Sequence, residues 1–363
     1  MMQNETMLSL IILAGGRSSR MGRDKASLPW QNTNLLTDLI RRSHAVGFHE
    51  IIISANAQPD ISRLSPSSKA SIRIVADHYP TSGPLGGMEA AFCTCTSPYC
   101  AVVSVDLPFY DFSPIPALLP ILTAAPSVDA VIPMVEGRCQ PLAALYRRKT
   151  VLNAVRRALD HREYRVLSIA NQLAVRYVAV TEKPILYENI NTPSAYKDAL
   201  AININRQRAV PVVSISSSQS GDGKTTLATR IISQLSRRGY AVGYIKSTHH
   251  RHCQEKKDSD TDKASKAGSV QALLCGPDDI PASLSKRQVI EKRSQQIKAD
   301  LVFIESRSTC LFPVIYIDGP MEPPISADMI TAAISSRPVS SCRVFRPGQI
   351  EDLCSYILYV TQS

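Results

Sequence analysis

An apolar run that ends in a glycine-bearing loop and opens into a helix occurs twice in this chain. LSLIILAGG spans 8–16, and VPVVSISSSQSGDGKTTL spans 210–227. A strand followed at once by residues without bulk lets a ligand approach the backbone. Glycine also admits positive φ angles that aim amide donors at phosphate oxygens. Two such loops, each heading its own strand–helix alternation, restrict the fold more than any compositional feature. At 363 residues the chain also exceeds the roughly 250–300 at which single cores stop growing. Two tandem α/β domains follow.

In the first half, LSLIILA, EIIISAN, SIRIVAD and CAVVSVD are short apolar runs that read as strands. LLTDLIRRSHAVG and LGGMEAAFCTC have helical spacing, the first closed by Gly47 as a C-cap. Strands alternating with helices imply a parallel sheet with helices on both faces. Ligands of such sheets sit beyond the carboxyl ends of the strands, where Gly15, Asn56, Asp77 and Asp106 all fall. The helical stretch PSAYKDALAIN then gives way to a polar, basic joint and a new strand. This sets domains at 1–203 and 210–363 with a linker at 204–209. KTTLATRIISQLSRRG reads as a helix, and YAVGYIK, SVQALLC and ADLVFIE as strands.

Hydrophobic residues make up 44% and charged residues 20%, which excludes a disordered chain. The apolar run at the start has seven residues, far fewer than the ~20 that span a bilayer, and no basic segment precedes it, so neither a membrane span nor a secretory signal is expected. The nine cysteines form no C-x-x-C pair; reduced thiols and a cytoplasmic setting are the expectation. The net charge of +10 comes from scattered basic residues. With no aromatic-rich or zinc-knuckle signature beside them, they suit small polyanions such as nucleotides rather than nucleic acid.

In the first loop, Gly15 and Gly16 supply close backbone approach, while Arg20 and Lys25 place cations where a triphosphate would lie. By itself Asp106 reads more readily as a turn former ahead of Pro108 than as a metal ligand. The second loop differs from the Walker pattern G-x-x-x-x-G-K-[ST] at one position, because Ser218 stands where the first glycine belongs. Gly221, Gly223, Lys224, Thr225 and Thr226 still describe a phosphate-binding strand-to-helix turn, with the Thr225 hydroxyl suited to Mg²⁺.

LAGGRSSRMGRDK resembles the signature of the molybdenum cofactor guanylyltransferases. DHYPTSGPLGGM, SVDLPF, GRCQPLAALY and NINTP extend the likeness, in the family's order, over 8–198. The resemblance implies transfer of GMP from GTP to the terminal phosphate of molybdopterin. It implies Mg²⁺ on Asp106, and Leu13, Ala14 and Gly15 against the guanosine. Lys25 would meet the phosphates, and Asn56 and Asp77 would belong to the nucleotide site. Arg138, Gln140 and Arg165 match positions that face the pterin, and Asn191 matches either a metal ligand or part of a helix entry capped by Thr192. Ser54 stands where some members carry Asn.

GYIKSTHH, DTDKASKAGS and DLVFIE make the remainder, from 209 onward, similar to the molybdopterin-guanine dinucleotide biosynthesis adapter family, a P-loop GTP-binding partner of the transferase. ESRS replaces that family's usual E-G-[FY]-K; with Ser218 this bears on GTP hydrolysis, not on fold. The fold implied is α/β: two tandem three-layer αβα domains, a Rossmann-like nucleotidyltransferase followed by a P-loop NTPase-like domain. The implied partners are GTP, molybdopterin, and molybdopterin-handling and molybdoenzyme-maturation proteins. The residues alone also admit another nucleotidyltransferase, using CTP or a sugar-phosphate acceptor, or a non-catalytic nucleotide-binding regulator. HHRHC, 249–253, reads either as a metal-binding cluster or as a polar loop. Oligomeric state is not readable.

Overall fold

The computed structural model describes residues 7–15, 24–249, 257–339 and 341–362. Gly16 and Arg20 therefore lie outside the described residues, as does HHRHC beyond His249. The chain divides into two compact units, Met1–Asn191 and Thr192–Ser363.

The first unit is built on a sheet of order Val175–Ala179, Ala130–Val135, Ala143–Arg147, Tyr99–Ser104, Leu8–Leu13, Glu50–Ser54, Ile72–Val75. All of Leu8–Leu13 is buried, so both alternating sets of its side chains need cover. One face packs Leu85, Met88 and Phe92 of helix Pro84–Thr94 with Val151, Ala154 and Val155 of helix Arg148–Asp160. The expected parallel sheet holds except at Ala143–Arg147, which runs antiparallel to both neighbours, and at the two-residue strand Arg138–Cys139, which runs antiparallel to Ala130–Val135. Gly47 does not cap helix Leu35–Ser43: His44 takes that role, and Gly47 turns the chain beyond it at φ +71°.

The first four strands of this sheet, in chain order, leave the centre in two directions. From Leu8–Leu13 the chain steps outward through Glu50–Ser54 to Ile72–Val75, then crosses to Tyr99–Ser104 on the other side. That reversal makes a crevice beyond Leu13 and Ser104, the place where open α/β sheets bind ligands.

The second unit has a wholly parallel seven-stranded sheet. Its order is Gln271–Cys275, Val242–Ser247, Leu301–Glu305, Val212–Ser217, Val314–Ile317, Ile330–Ile334, Arg343–Phe345. One face buries Leu227, Ile231 and Leu235 with Leu353, Ile357 and Val360; the other buries Val289, Ile290 and Ile297.

Helix Pro193–Arg206 belongs to this second unit, so the division falls at Asn191–Thr192 rather than after 203, and the expected linker at 204–209 begins inside a helix. The reason is polar as well as apolar. Lys197 Nζ donates to the carbonyls of Ala327 (2.8 Å) and Ile330 (3.1 Å), and Asp198 accepts from Tyr356 Oη (2.7 Å) and Arg343 Nη2 (2.9 Å). Ala201 and Ile202 complete the buried face.

Candidate nucleotide sites at two sheet edges

In the first unit the carboxyl edge of the sheet is closed by backbone bonds between neighbouring strand ends. Ala14 N donates to Ser54 O (2.9 Å), Val105 N to Leu13 O (3.1 Å) and Ala55 N to Val75 O (2.9 Å). Leu13, Ala14, Gly15, Asn56, Asp77 and Asp106 are thereby gathered along one rim. Gly15 is not in the left-handed region expected of it; a Cβ there would meet Asn56 Nδ2 at an ordinary 3.6 Å. Its glycine character matters for approach to the rim rather than for a turn.

Lys25 Nζ bridges two groups from distant parts of the sequence, Asp106 Oδ2 at 3.0 Å and Asn191 Oδ1 at 2.7 Å. The backbone holds this arrangement too, since Ile190 N donates to Asp106 O at 2.9 Å. Asn191 and the helix entry are compatible readings, not alternatives. Thr192 accepts from Ala195 N as N-cap with Pro193 in the first turn, while the Asn191 side chain meets Lys25. The second carboxylate oxygen, Asp106 Oδ1, is buried without a hydrogen-bond partner among the described residues. Such an acceptor is costly unless something binds it. A carboxylate oxygen beside an amide oxygen is a donor set that suits Mg²⁺.

Asp77 is fixed on three sides. Ser54 Oγ donates to Oδ1 (2.9 Å), Asn56 Nδ2 donates to Oδ2 (3.2 Å), and Asp77 N donates back to Asn56 Oδ1 (3.1 Å). Ser54 is thus a working member of the rim that its substitution for Asn concealed. Helix Pro84–Thr94 presses against the same place: a Cβ on Gly87 would lie 2.5 Å from Ser54 Oγ and 3.2 Å from Leu13 Cδ2. GPLGGM therefore serves close helix-to-rim packing. Of the positions matched to the pterin side, Arg138 and Arg165 are exposed and Gln140 is half-buried.

Beside the rim, Glu89 is buried and accepts from Arg156 Nε (3.0 Å) and Cys93 Sγ (3.1 Å), with His78 Nδ1 at 2.7 Å. Burial would raise this carboxyl, but the bonds from Cys93, His78 and Arg156 outweigh it and hold Glu89 below its ordinary value. Arg156 Nη2 also lies 2.8 Å from Cys93 Sγ, so a guanidinium already fills the place a cation would take among these groups.

In the second unit, Gly221 and Gly223 sit at φ +90° and +87°, as a phosphate-cradling turn requires. Lys224 starts helix Lys224–Arg237 and donates to Ser217 Oγ (2.6 Å) and Gln219 O (2.8 Å). Burial pushes its ammonium below the ordinary lysine value. Thr226 follows in the first turn. Ser218 is buried and donates to Asp222 Oδ2 at 3.0 Å. It is accommodated because the facing loop carries Gly319, where a Cβ would fall 2.5 Å from Ser218 Oγ. The glycine missing from the Walker pattern has, in effect, moved across the gap.

Thr225 Oγ1 donates to both oxygens of Glu305, at 3.0 and 2.9 Å. Glu305 ends the strand beside the loop strand and also accepts from Tyr244 Oη at 2.5 Å and from Lys246 Nζ. Lys246 lies 2.7 Å from Asp260 Oδ2 as well. Burial works against its charge, but Glu305 and Asp260 prevail and raise it above the ordinary lysine value. Sequence reading passed over Glu305, Lys246 and Asp260 as site members. Their signal was a charged side chain at the carboxyl end of an apolar strand or in the first turn of a helix.

The comparisons with known proteins also fall into two parts, one on each half of the chain. A family model described as the MobA-like NTP transferase domain matches residues 10–175. A second, described as molybdopterin guanine dinucleotide synthesis protein B, matches residues 212–321. A probable molybdenum cofactor guanylyltransferase of Pelotomaculum thermopropionicum is 31% identical over 191 residues, covering 51% of this chain and 87% of the relative. One of Natronomonas pharaonis is also 31% identical over 191 residues, covering 50% and 92%. The crystal structure of molybdopterin-guanine dinucleotide biosynthesis protein A from Archaeoglobus fulgidus is similar at a TM-score of 0.44 and 23% identity, covering 53% of this chain and 97% of that one. The chain belongs to the molybdenum cofactor guanylyltransferase family, and its second half is a domain of the synthesis-protein-B kind.

Proposed function

We propose that the first unit transfers GMP from GTP to the terminal phosphate of molybdopterin, giving the guanine dinucleotide and pyrophosphate, and that the second unit binds GTP. The observation that carries this reading is Lys25 held between Asp106 and Asn191 at the crevice, with Asp106 Oδ1 buried and unpartnered.

An acceptor phosphate oxygen attacks the α-phosphorus of GTP. The bond from that phosphorus to the bridging oxygen breaks, and its electron pair leaves with pyrophosphate. Two anions must be held in line for this, so the residues' task is positioning and charge. Lys25 supplies an ammonium to the triphosphate, with Arg20 as its proposed companion. Asp106 and Asn191 offer oxygens to Mg²⁺, which when bound counters the charge that builds on the phosphates. Asp77, fixed by Ser54 and Asn56, meets the nucleoside together with Leu13, Ala14 and Gly15. Arg138, Gln140 and Arg165 are assigned to the pterin side. In the second unit the Gly221–Gly223 turn, Lys224 and Thr226 cradle phosphates, and Thr225 with Glu305 holds the cation.

All eight described cysteines are free thiols, which supports a reducing, cytoplasmic setting. No described helix is long and apolar enough to cross a membrane. The test is pyrophosphate release by the intact chain with molybdopterin and, separately, GTP, CTP and ATP. Release with GTP alone of the three is expected; equal release with CTP would overturn the base assignment, and no release with any would overturn catalysis.

A further inference from the structure

Metal-ligating side chains of three kinds meet beside the rim of the first unit. Glu89 and Cys93 stand four residues apart on helix Pro84–Thr94, a spacing that puts them on one face. His78 reaches them from the loop after Ile72–Val75. One imidazole nitrogen, one carboxylate oxygen and one sulfur thereby lie within 4.8 Å of one another, and among the described residues no other group of three such side chains does so. None of the three has a part in holding GTP.

The charge balance of this group points outward. Glu89 is a buried carboxylate, which is costly without a counter-charge. Its cationic partner comes from the surface: the Arg156 side chain is 48% exposed, and its guanidinium spans Glu89 Oε1 at 3.0 Å and Cys93 Sγ at 2.8 Å. Positive charge is thus wanted between that oxygen and that sulfur, and the group supplying it is free to leave. Half-exposed ion pairs of this kind are weak.

We propose that His78, Glu89 and Cys93 form a zinc site in which the metal takes the place of the Arg156 guanidinium. Sulfur, imidazole nitrogen and carboxylate oxygen together suit Zn²⁺, whereas Mg²⁺ and Ca²⁺ take oxygen ligands. Bonds of ~2.0–2.3 Å set such ligands roughly 3–4 Å apart. Glu89 Oε1 and Cys93 Sγ are already 3.1 Å apart, and His78 Nδ1, 2.7 Å from Oε2, has only to turn outward on a side chain that is 60% exposed. As the bond from sulfur to zinc forms, the Sγ–H proton passes to solvent and Arg156 swings away; a water takes the fourth position. The metal then fastens the loop that follows Asp77 to the helix whose Gly87 packs on Ser54.

Titration of the full chain with Co²⁺, followed by absorption, tests this. C253S serves as the parent, so that HHRHC carries no thiol, and excess Mg²⁺ is present to fill sites made of oxygen ligands. The parent is expected to develop a thiolate-to-cobalt charge-transfer band that Zn²⁺ abolishes by displacing the cobalt. C93S is expected to remove the band, and H78A to weaken binding at least about tenfold. R156A is expected to tighten Co²⁺ about tenfold by removing the internal competitor, a gain that misfolding cannot imitate. A parent without the band, a band that survives C93S, or an R156A variant that binds Co²⁺ no better than the parent overturns the site.

Discussion

Replacing Gly319 by alanine tests the account of Ser218. The new Cβ would lie 2.5 Å from Ser218 Oγ, 3.4 Å from Asp222 Oδ2 and 3.7 Å from Ser218 Cβ. Only the first of these is impossible, so the serine hydroxyl must rotate and surrender its 3.0 Å bond to Asp222. Losing that bond costs ~0.5–1.5 kcal/mol; if the hydroxyl cannot move, overpacking costs ~1–3 kcal/mol. Gly319 needs no left-handed φ, so alanine recovers ~0.4–1 kcal/mol through the unfolded chain. The net loss is about 1 kcal/mol, or roughly 2–4 °C in the transition of the second unit. In an S218G background the obstructing oxygen is gone, and G319A should be neutral or stabilising. Scanning calorimetry on the four proteins of this cycle measures the coupling, expected at about 1–2 kcal/mol. Additivity to within ~0.3–0.5 kcal/mol would refute the claim that the two positions trade one glycine between them.

In the first unit, G87A should behave against helix propensity. Alanine normally gains about 1 kcal/mol over glycine in a helix, but here its Cβ meets Ser54 Oγ at 2.5 Å. A loss of ~1–3 kcal/mol and a raised KM for GTP, through the Ser54–Asp77 bond, are expected from denaturant unfolding and steady-state kinetics; a stabilised, kinetically normal variant contradicts this. Glu89 gives a pH signature. Its folded carboxyl titrates below its ordinary value, so its contribution is present above the unfolded value and is lost as pH falls through the folded one. Melting temperatures of E89Q and wild type should converge as the solution is acidified below the ordinary carboxylate range; a constant gap down to low pH contradicts it.

LSLIILA, EIIISAN, SIRIVAD and CAVVSVD were legible as strands because each is a short apolar run closed by Gly, Asn or Asp, and their shared carboxyl edge followed from the alternation alone. Strand direction was not: AALYR at 143–147 has the periodicity of any buried strand, and nothing local says that it runs antiparallel. Asp106 and Asn191 were both suspected, but Lys25 as the group joining them is a tertiary fact. The unit boundary was misplaced because PSAYKDALAIN reads as an ordinary amphipathic helix. Only the partners of Lys197 and Asp198, more than a hundred residues away, assign it to the second unit. Ser218 looked like a defect in the loop until Gly319 supplied the space.

The central claim is that Asp106 and Lys25 act on one bound GTP. Label from [α-³²P]GTP, followed into the pterin dinucleotide by the intact wild-type chain and by D106A, tests it most directly. Wild type should incorporate label in a Mg²⁺-dependent manner. D106A, folded by far-UV dichroism, should lose about a hundredfold or more in turnover, the size of a few kcal/mol of transition-state charge stabilisation. Undiminished turnover by D106A would contradict the account.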